Sequence, residues 1–397
     1  MESPFSSEDP EFMLMMSGFM DEGPTKIAYV EEIVRLADAA ENHDLAFNAR
    51  MELVSAGTFG GAIERAIAAF GWCLAYWDRN PEAVDPNTIL WRYKWIVDNL
   101  PDFTHISREK MFEMIEDFGR RYEKIGASRY TYHEIRASVA ICIGDNSMLQ
   151  KAIADRSKYK PDSMSDCKAC RTNFEVAYWL YLREYKKALS TAKPILDGKE
   201  SCRILPFAIH CKLIEPLMRI GNSELAKEMH LKSIDQITRD PANWARAYSH
   251  ILFLTMTGNF AKARKVVETI WPLVDAAYDQ NGKYNFYRSA YYLMRRLSES
   301  KDAKRLKIRV PKKNELASDV TQRTVDAIRD WFHCQAKTLA SQFDARNGND
   351  LYASELKEQE ELRKLECELP LDAKKKSQKS GLIKPPAKSR SKKIEDN

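Results

Sequence analysis

Residues 258–266 read GNFAKARKV, and three earlier stretches align with them: GDNSMLQKA at 144–152, REYKKALST at 183–191 and GNSELAKEM at 221–229. Their first residues lie 39, 38 and 37 positions apart. Each stretch follows an apolar run with helical spacing and opens a second one. A small or apolar residue recurs at one offset: Leu149, Ala188, Ala226 and Ala263. A short side chain there lets the second helix of a hairpin cross close to the first. Glycine at the break supplies the left-handed residue that ends one helix and turns the chain. A helix hairpin has two apolar faces and cannot hide both alone, so neighbours must stack. The pattern predicts an all-α solenoid of stacked antiparallel helix hairpins.

Working outward, residues 26–299 alternate helical patterns with short polar breaks. Asn80-Pro81, Asp85-Pro86, Pro101-Asp102, Pro161-Asp162 and Asp240-Pro241 mark these breaks. Several put a capping side chain before a helix and proline in its first turn. Near the start, Ile27, Val30, Ile33, Val34 and Ala37 lie on one helical face. ENHDLAFNA from Glu41 and the helix pair at 86–99 and 107–125 would supply two or three further units. The expected organisation is a weakly ordered leader at 1–24, the hairpin solenoid at 25–300 and a basic loop at 301–314. Capping helices at 315–370 would cover the last hairpin, with Val325, Ile328, Trp331, Phe332, Leu339 and Phe343 on their apolar face. Residues 371–397 read as a disordered basic tail.

Composition agrees. Glycine (15) and proline (16) are sparse in 397 residues, which disfavours turn-rich β folds and glycine-rich nucleotide loops. Sixteen Phe, 17 Tyr and 8 Trp demand a core. No apolar run approaches the ~18 residues of a membrane span. The Met/Phe patch near the start is flanked by acids rather than led by basic residues, so no signal peptide is read and a cytoplasmic chain with reduced thiols is expected. The net charge of +5 is concentrated. Residues 372–397 carry nine Lys/Arg against three acids, and 301–313 carry seven against one. These two segments are where nucleic acid would bind, by counterion release. The tail has no aromatic residue for base stacking.

Chemistry-bearing motifs are few. The chain has no His-Glu-x-x-His, no Gly-x-Ser-x-Gly and no phosphate loop ending in Gly-Lys-Ser/Thr. No catalytic residue, cofactor or metal is assigned, and an enzyme is not expected. The sharpest constellation is Cys167-x-x-Cys170 with Cys202 one repeat later. It admits three readings: packed reduced thiols, three ligands of a zinc ion, or a redox pair. Aromatic-rich helices around Trp91–Trp95 and Tyr284–Tyr292 read as core packing that could also offer peptide contacts.

The four aligned stretches resemble the tetratricopeptide-repeat class, whose hinge runs x-Gly-x-Tyr-x-x-Ala. Residues 183–188 (REYKKA) match that hinge except for its glycine, and 258–263 (GNFAKA) match with Phe260 in the aromatic place. DSMSDCKAC at 162–170 and FDARNGND at 343–350 are similar to strings in uncharacterised bacterial members of the class. The repeats are longer than that family's usual length, so this is a degenerate member. The resemblance implies a right-handed superhelix whose first helices line a concave groove. Counted back from each hinge, the groove rows are Glu134, Asn173, Cys211 and Tyr248, then Ser138, Ala177, Glu215 and Leu252, then Cys142, Tyr181, Arg219 and Met256. Glu134, Asn173, Tyr181, Cys211, Glu215, Arg219 and Tyr248 are the expected partner contacts. The rows hold no block of Lys or Arg, so a clamp for a C-terminal carboxylate is not expected. The preferred expectation is a non-catalytic scaffold that holds a protein or peptide partner. The alternatives are a nucleic-acid-associated factor using the basic loop and tail, or a zinc- or redox-responsive regulator using the three cysteines.

Overall fold

The computed structural model describes residues 9–301, 303–318 and 323–371; of the basic tail expected at 371–397, residues 372–397 lie outside them. The described residues form seventeen α-helices and no β-strand. They are α1 (Pro10–Ser17), α2 (Pro24–Ala39), α3 (His43–Phe59), α4 (Ile63–Arg79), α5 (Pro86–Asn99), α6 (Arg108–Lys124), α7 (Arg129–Ile143), α8 (Asn146–Arg156) and α9 (Lys168–Tyr181). Then follow α10 (Tyr185–Leu196), α11 (Phe207–Arg219), α12 (Ser223–Arg239), α13 (Ala247–Met256), α14 (Phe260–Ala276), α15 (Gln280–Ser298), α16 (Val325–Asn347) and α17 (Leu351–Leu362). No helix is long and apolar enough to cross a membrane among the described residues.

The hinges are built alike. Gly144, Gly221 and Gly258 have φ of 72°, 75° and 74°, and Arg183 takes the same left-handed place at 60°. At each, the next N–H reaches back to a carbonyl five residues earlier: Asp145 to Ala140, Glu184 to Trp179, Asn222 to Leu217 and Asn259 to Leu254, at 2.8–2.9 Å. This bond satisfies a carbonyl that the helix end would otherwise orphan. Glu41 (φ 53°) repeats the device before α3, where Asn42 N donates to Ala37 O. Asp145, Asn222 and Asn42 then cap the following helix through their side chains. Leu149, Ala188, Ala226 and Ala263 are all buried where the two helices cross.

Within each pair, α7 packs on α8, α9 on α10, α11 on α12 and α13 on α14. First helices also meet across pairs: α5 with α7, α7 with α9, α11 with α13, and α13 with α15. One apolar core runs from Ile27 to Phe174 and a second from Ala169 to Leu362, both drawing on α9. The early and late helices also touch. Asn281 Nδ2 donates to Asp102 at 3.0 Å, and Arg346 donates to the carbonyls of Pro101 and Phe103 at 2.9 and 2.7 Å.

Two segments differ from the sequence reading. Within the expected leader, Pro10–Ser17 is a helix capped by Asp9, and Met13 is buried against Tyr29, Ile33 and Ala49. At the other end, α16 packs along α15, but the chain beyond it does more than cover the last hairpin. Residues 349–371 run back past all four hinges. Asn349 Nδ2 donates to Ile143 O at 2.7 Å, and Glu358 pairs with Arg183 and, at 3.9 Å, with Arg219. Cys367 N donates to Met256 O at 2.9 Å, while Asn259 Nδ2 donates to Leu369 O at 3.0 Å. The basic loop lies along α14, with Ile308 buried and Arg309 N donating to Glu268 at 3.1 Å.

Candidate functional site

Each first helix puts apolar residues toward its partner and turns a second face away from it. On α9, α11, α13 and α15 that face is polar. Together with α17 these helices enclose a cavity of about 280 Å³. Tyr181, Cys211, Glu215, Arg219 and Tyr248 line it, five of the seven groove positions named from sequence. Lys212, Arg183 and Arg288 also line it, and α17 contributes Ser354, Glu355 and Glu358.

The charges are arranged as a basic wall facing an acidic helix. Arg219 is held by Glu215 at 2.7 Å on its own helix and lies 3.9 Å from Glu358. Arg183, which stands where the repeat has glycine, pairs with Glu358 from the rim. The Arg288 guanidinium is buried, 5.6 Å over the Tyr248 ring and 5.8 Å over the Tyr284 ring. Burial alone would favour a neutral Arg288, but Glu355 and Glu215 outweigh it and hold the cation firmly. Burial raises the Glu355 carboxyl above its ordinary range, against the pull of Arg288. Burial also pushes the Tyr248 phenol up to about 12 and the Lys212 ammonium down to about 8, the latter helped by Arg246. Lys212 donates to Asn173 Oδ1 at 2.8 Å. This wall suits an acid-bearing segment laid across three successive first helices.

The other expected contacts lie elsewhere. Glu134 is buried between helices, 3.0 Å from Arg156 of α8, and burial pushes its carboxyl up to about 7. Asn173 does not line the cavity and reaches it only through Lys212. Cys211 is almost sealed: its Sγ lies 3.5 Å from His250 Nε2, and His250 Nδ1 lies 2.9 Å from His230 Nδ1. The Tyr181 hydroxyl donates to Asn146 at 2.8 Å. Arg183, Lys212 and Arg288 were not among the expected contacts, and they supply the basic character that the sequence rows lacked. Lys212 sits one residue past Cys211, Arg288 lies beyond the aligned repeats, and Arg183 was read only as a hinge.

The three cysteines set one repeat apart also come together. Cys167 precedes α9 as its N-cap, Cys170 is in the first turn, and Cys202 lies in the loop before α11. Their sulfurs all lie within 4.8 Å of one another. A scan against protein-family models, a search of curated proteins and a search of solved structures each find no match for the chain.

Proposed function

We propose that the chain is a non-catalytic scaffold, a right-handed superhelix of tetratricopeptide-like hairpins whose concave face holds an acidic segment of a partner protein. One observation carries the reading. Residues at repeat-equivalent places on α9, α11 and α13 converge on one cavity, and its basic wall already faces the acids of α17. The chain's own helix therefore serves as the template for the ligand: a helical segment with carboxylates at i and i+3, as in Glu355 and Glu358. A partner segment competes with α17 for Arg183, Arg219 and Arg288. Four hinges of one geometry, and first helices that touch in succession, support the solenoid.

A labelled peptide with the sequence of residues 350–366 tests this in trans. The full chain carrying Glu355→Lys and Glu358→Lys, which loosens its own α17, binds the peptide at least tenfold more tightly than the unaltered chain. Adding Arg219→Glu to that background abolishes the gain. Equal affinity in all three chains overturns the reading.

A further inference from the structure

None of the three clustered cysteines lines the groove cavity, and their surroundings fix them before any ligand arrives. Asp166, immediately before Cys167, receives Lys94 Nζ of α5 at 2.5 Å, and Lys94 is buried over the Trp91 ring at 3.4 Å. Arg171 donates to the Asp166 carbonyl at 3.3 Å. The loop that carries Cys202 is held independently. Glu200 accepts from Thr172 at 2.7 Å and from Lys168 at 2.9 Å, both in the first turns of α9. Arg203, the next residue after Cys202, pairs with Glu22 at 2.6 Å and stacks on Phe59. Contacts that use no sulfur therefore hold two separate segments with their thiols face to face.

The sulfur geometry is that of a metal edge. Cys170 and Cys202 Sγ are 3.4 Å apart, and all three sulfurs fall within 4.8 Å. A zinc ion with bonds of ~2.3 Å in a tetrahedron separates its sulfurs by about 3.8 Å. The Cys170–Cys202 pair reaches that spacing by opening about 0.4 Å, and a pair at the 4.8 Å limit by closing about 1 Å. The sulfurs also lie at the N-terminus of α9, where the helix dipole favours thiolates. Burial, and then the neighbouring Cys202, raises the Cys170 thiol above its usual range.

We propose that Cys167, Cys170 and Cys202 bind one zinc ion as thiolates, with the fourth position, beside the exposed Cys167, taken by water or an added donor. The ion ties the start of the α9–α10 hairpin to the start of the next one. The site does not depend on the occupant of the groove.

The test uses the full chain, reduced with a phosphine and kept free of oxygen. Elemental analysis after zinc addition and gel filtration is expected to give one ion per chain. Cobalt in place of zinc is expected to show thiolate-to-metal absorption in the near ultraviolet and intense tetrahedral bands in the visible. Cys170→Ser and Cys202→Ser each lose stoichiometric uptake while their far-ultraviolet circular dichroism stays that of the parent. Cys334→Ser, at an exposed thiol remote in sequence, keeps it. A chain that takes up neither ion with its thiols reduced overturns the proposal. So does uptake that survives both Cys170→Ser and Cys202→Ser.

Discussion

The seams between helices and the lining of the polar cavity obey different rules. At the seams, side chains are small or apolar: Ala188, Ala226 and Ala263 are fully buried, and even the His230–His250 pair is sealed. On the helices that pair with them, and on α15, Tyr181, Glu215, Arg219 and Arg288 crowd a polar cavity. Seam positions are constrained by the distance between helix axes, so they recur from repeat to repeat. Inner positions are constrained only by what they face, so they vary. On α11, Ile214 and Leu217 pack in the core while Glu215 and Arg219 line the cavity, so packing and cavity chemistry are written in separate residues of one helix.

The largest effect that separates the two belongs to a seam. Trp271 of α14 is fully buried, with its ring 4.5 Å from Phe332 and 5.4 Å from Trp331 of α16. Trp271→Ala should cost about 3–5 kcal/mol in urea unfolding, from lost transfer energy and the cavity left behind. A cost below about 1 kcal/mol would mean that this seam is no tighter than the inner face.

Next comes pH. Burial pushes the His230 imidazole from 6.5 down to about 4, with Lys262 adding to the shift, and burial also lowers His250, with His230 adding to it. Above pH 6.5 both folded and unfolded chains hold His230 neutral, and it contributes nothing to the pH dependence. Below 6.5 the unfolded chain takes the proton and the folded chain does not, so stability falls as pH drops from 6.5 toward 4. The shift corresponds to roughly 3 kcal/mol at the end of that window. Urea midpoints at pH 7 and pH 4.5 measure it, and His230→Gln should flatten the slope. An unchanged slope would show that the seam admits water.

The hinges come third. At Gly258, with φ of 74°, an added Cβ meets nothing within 4 Å. Gly258→Ala should therefore cost about 1 kcal/mol from the left-handed backbone alone, read as a shift in the urea midpoint. A neutral result would show that the hinge relaxes.

These hinges were also the most legible part of the sequence. Glycine followed by Asp or Asn, then a small or apolar residue about one helix turn past that cap, is a local signal, and local geometry answers it. Arg183 shows the limit: the surrounding contacts impose the left-handed turn where glycine is missing. The regular breaks before α5 and at 240–241 were legible for the same reason. The return of 349–371 across the hinges was not, because it depends on which distant surface the last helix meets, and its own charge pattern fits a solvated helix equally well. Lys212 and Glu134 mark an error of register: on a helix one residue turns a side chain by about 100°, enough to move Glu134 from the expected groove into an ion pair with Arg156. Cys167, Cys170 and Cys202 were legible as a spacing, since one repeat returns the chain to the same edge. That their sulfurs meet required the clamps at Asp166 and Glu200, which no spacing records.

The smallest effect tests the inner face itself. Glu355 is half-buried opposite Arg288, and its raised carboxyl means that burial, with Glu215 and Glu358 nearby, outweighs the attraction of Arg288. A carboxylate whose folded pKa lies above its unfolded one penalises the fold once pH exceeds the unfolded value. Glu355→Gln removes that penalty and loses only part of the contact with Arg288. At pH 7 the variant should be equal to the parent or more stable by less than about 1 kcal/mol. The difference should vanish below the ordinary carboxylate range, where both side chains are neutral. Urea unfolding at pH 7 and pH 3.5 decides it. A loss above about 1 kcal/mol at pH 7 would make α17 part of the seam rather than an occupant of the groove, because a displaceable helix cannot carry a stability contact of that size at one carboxylate.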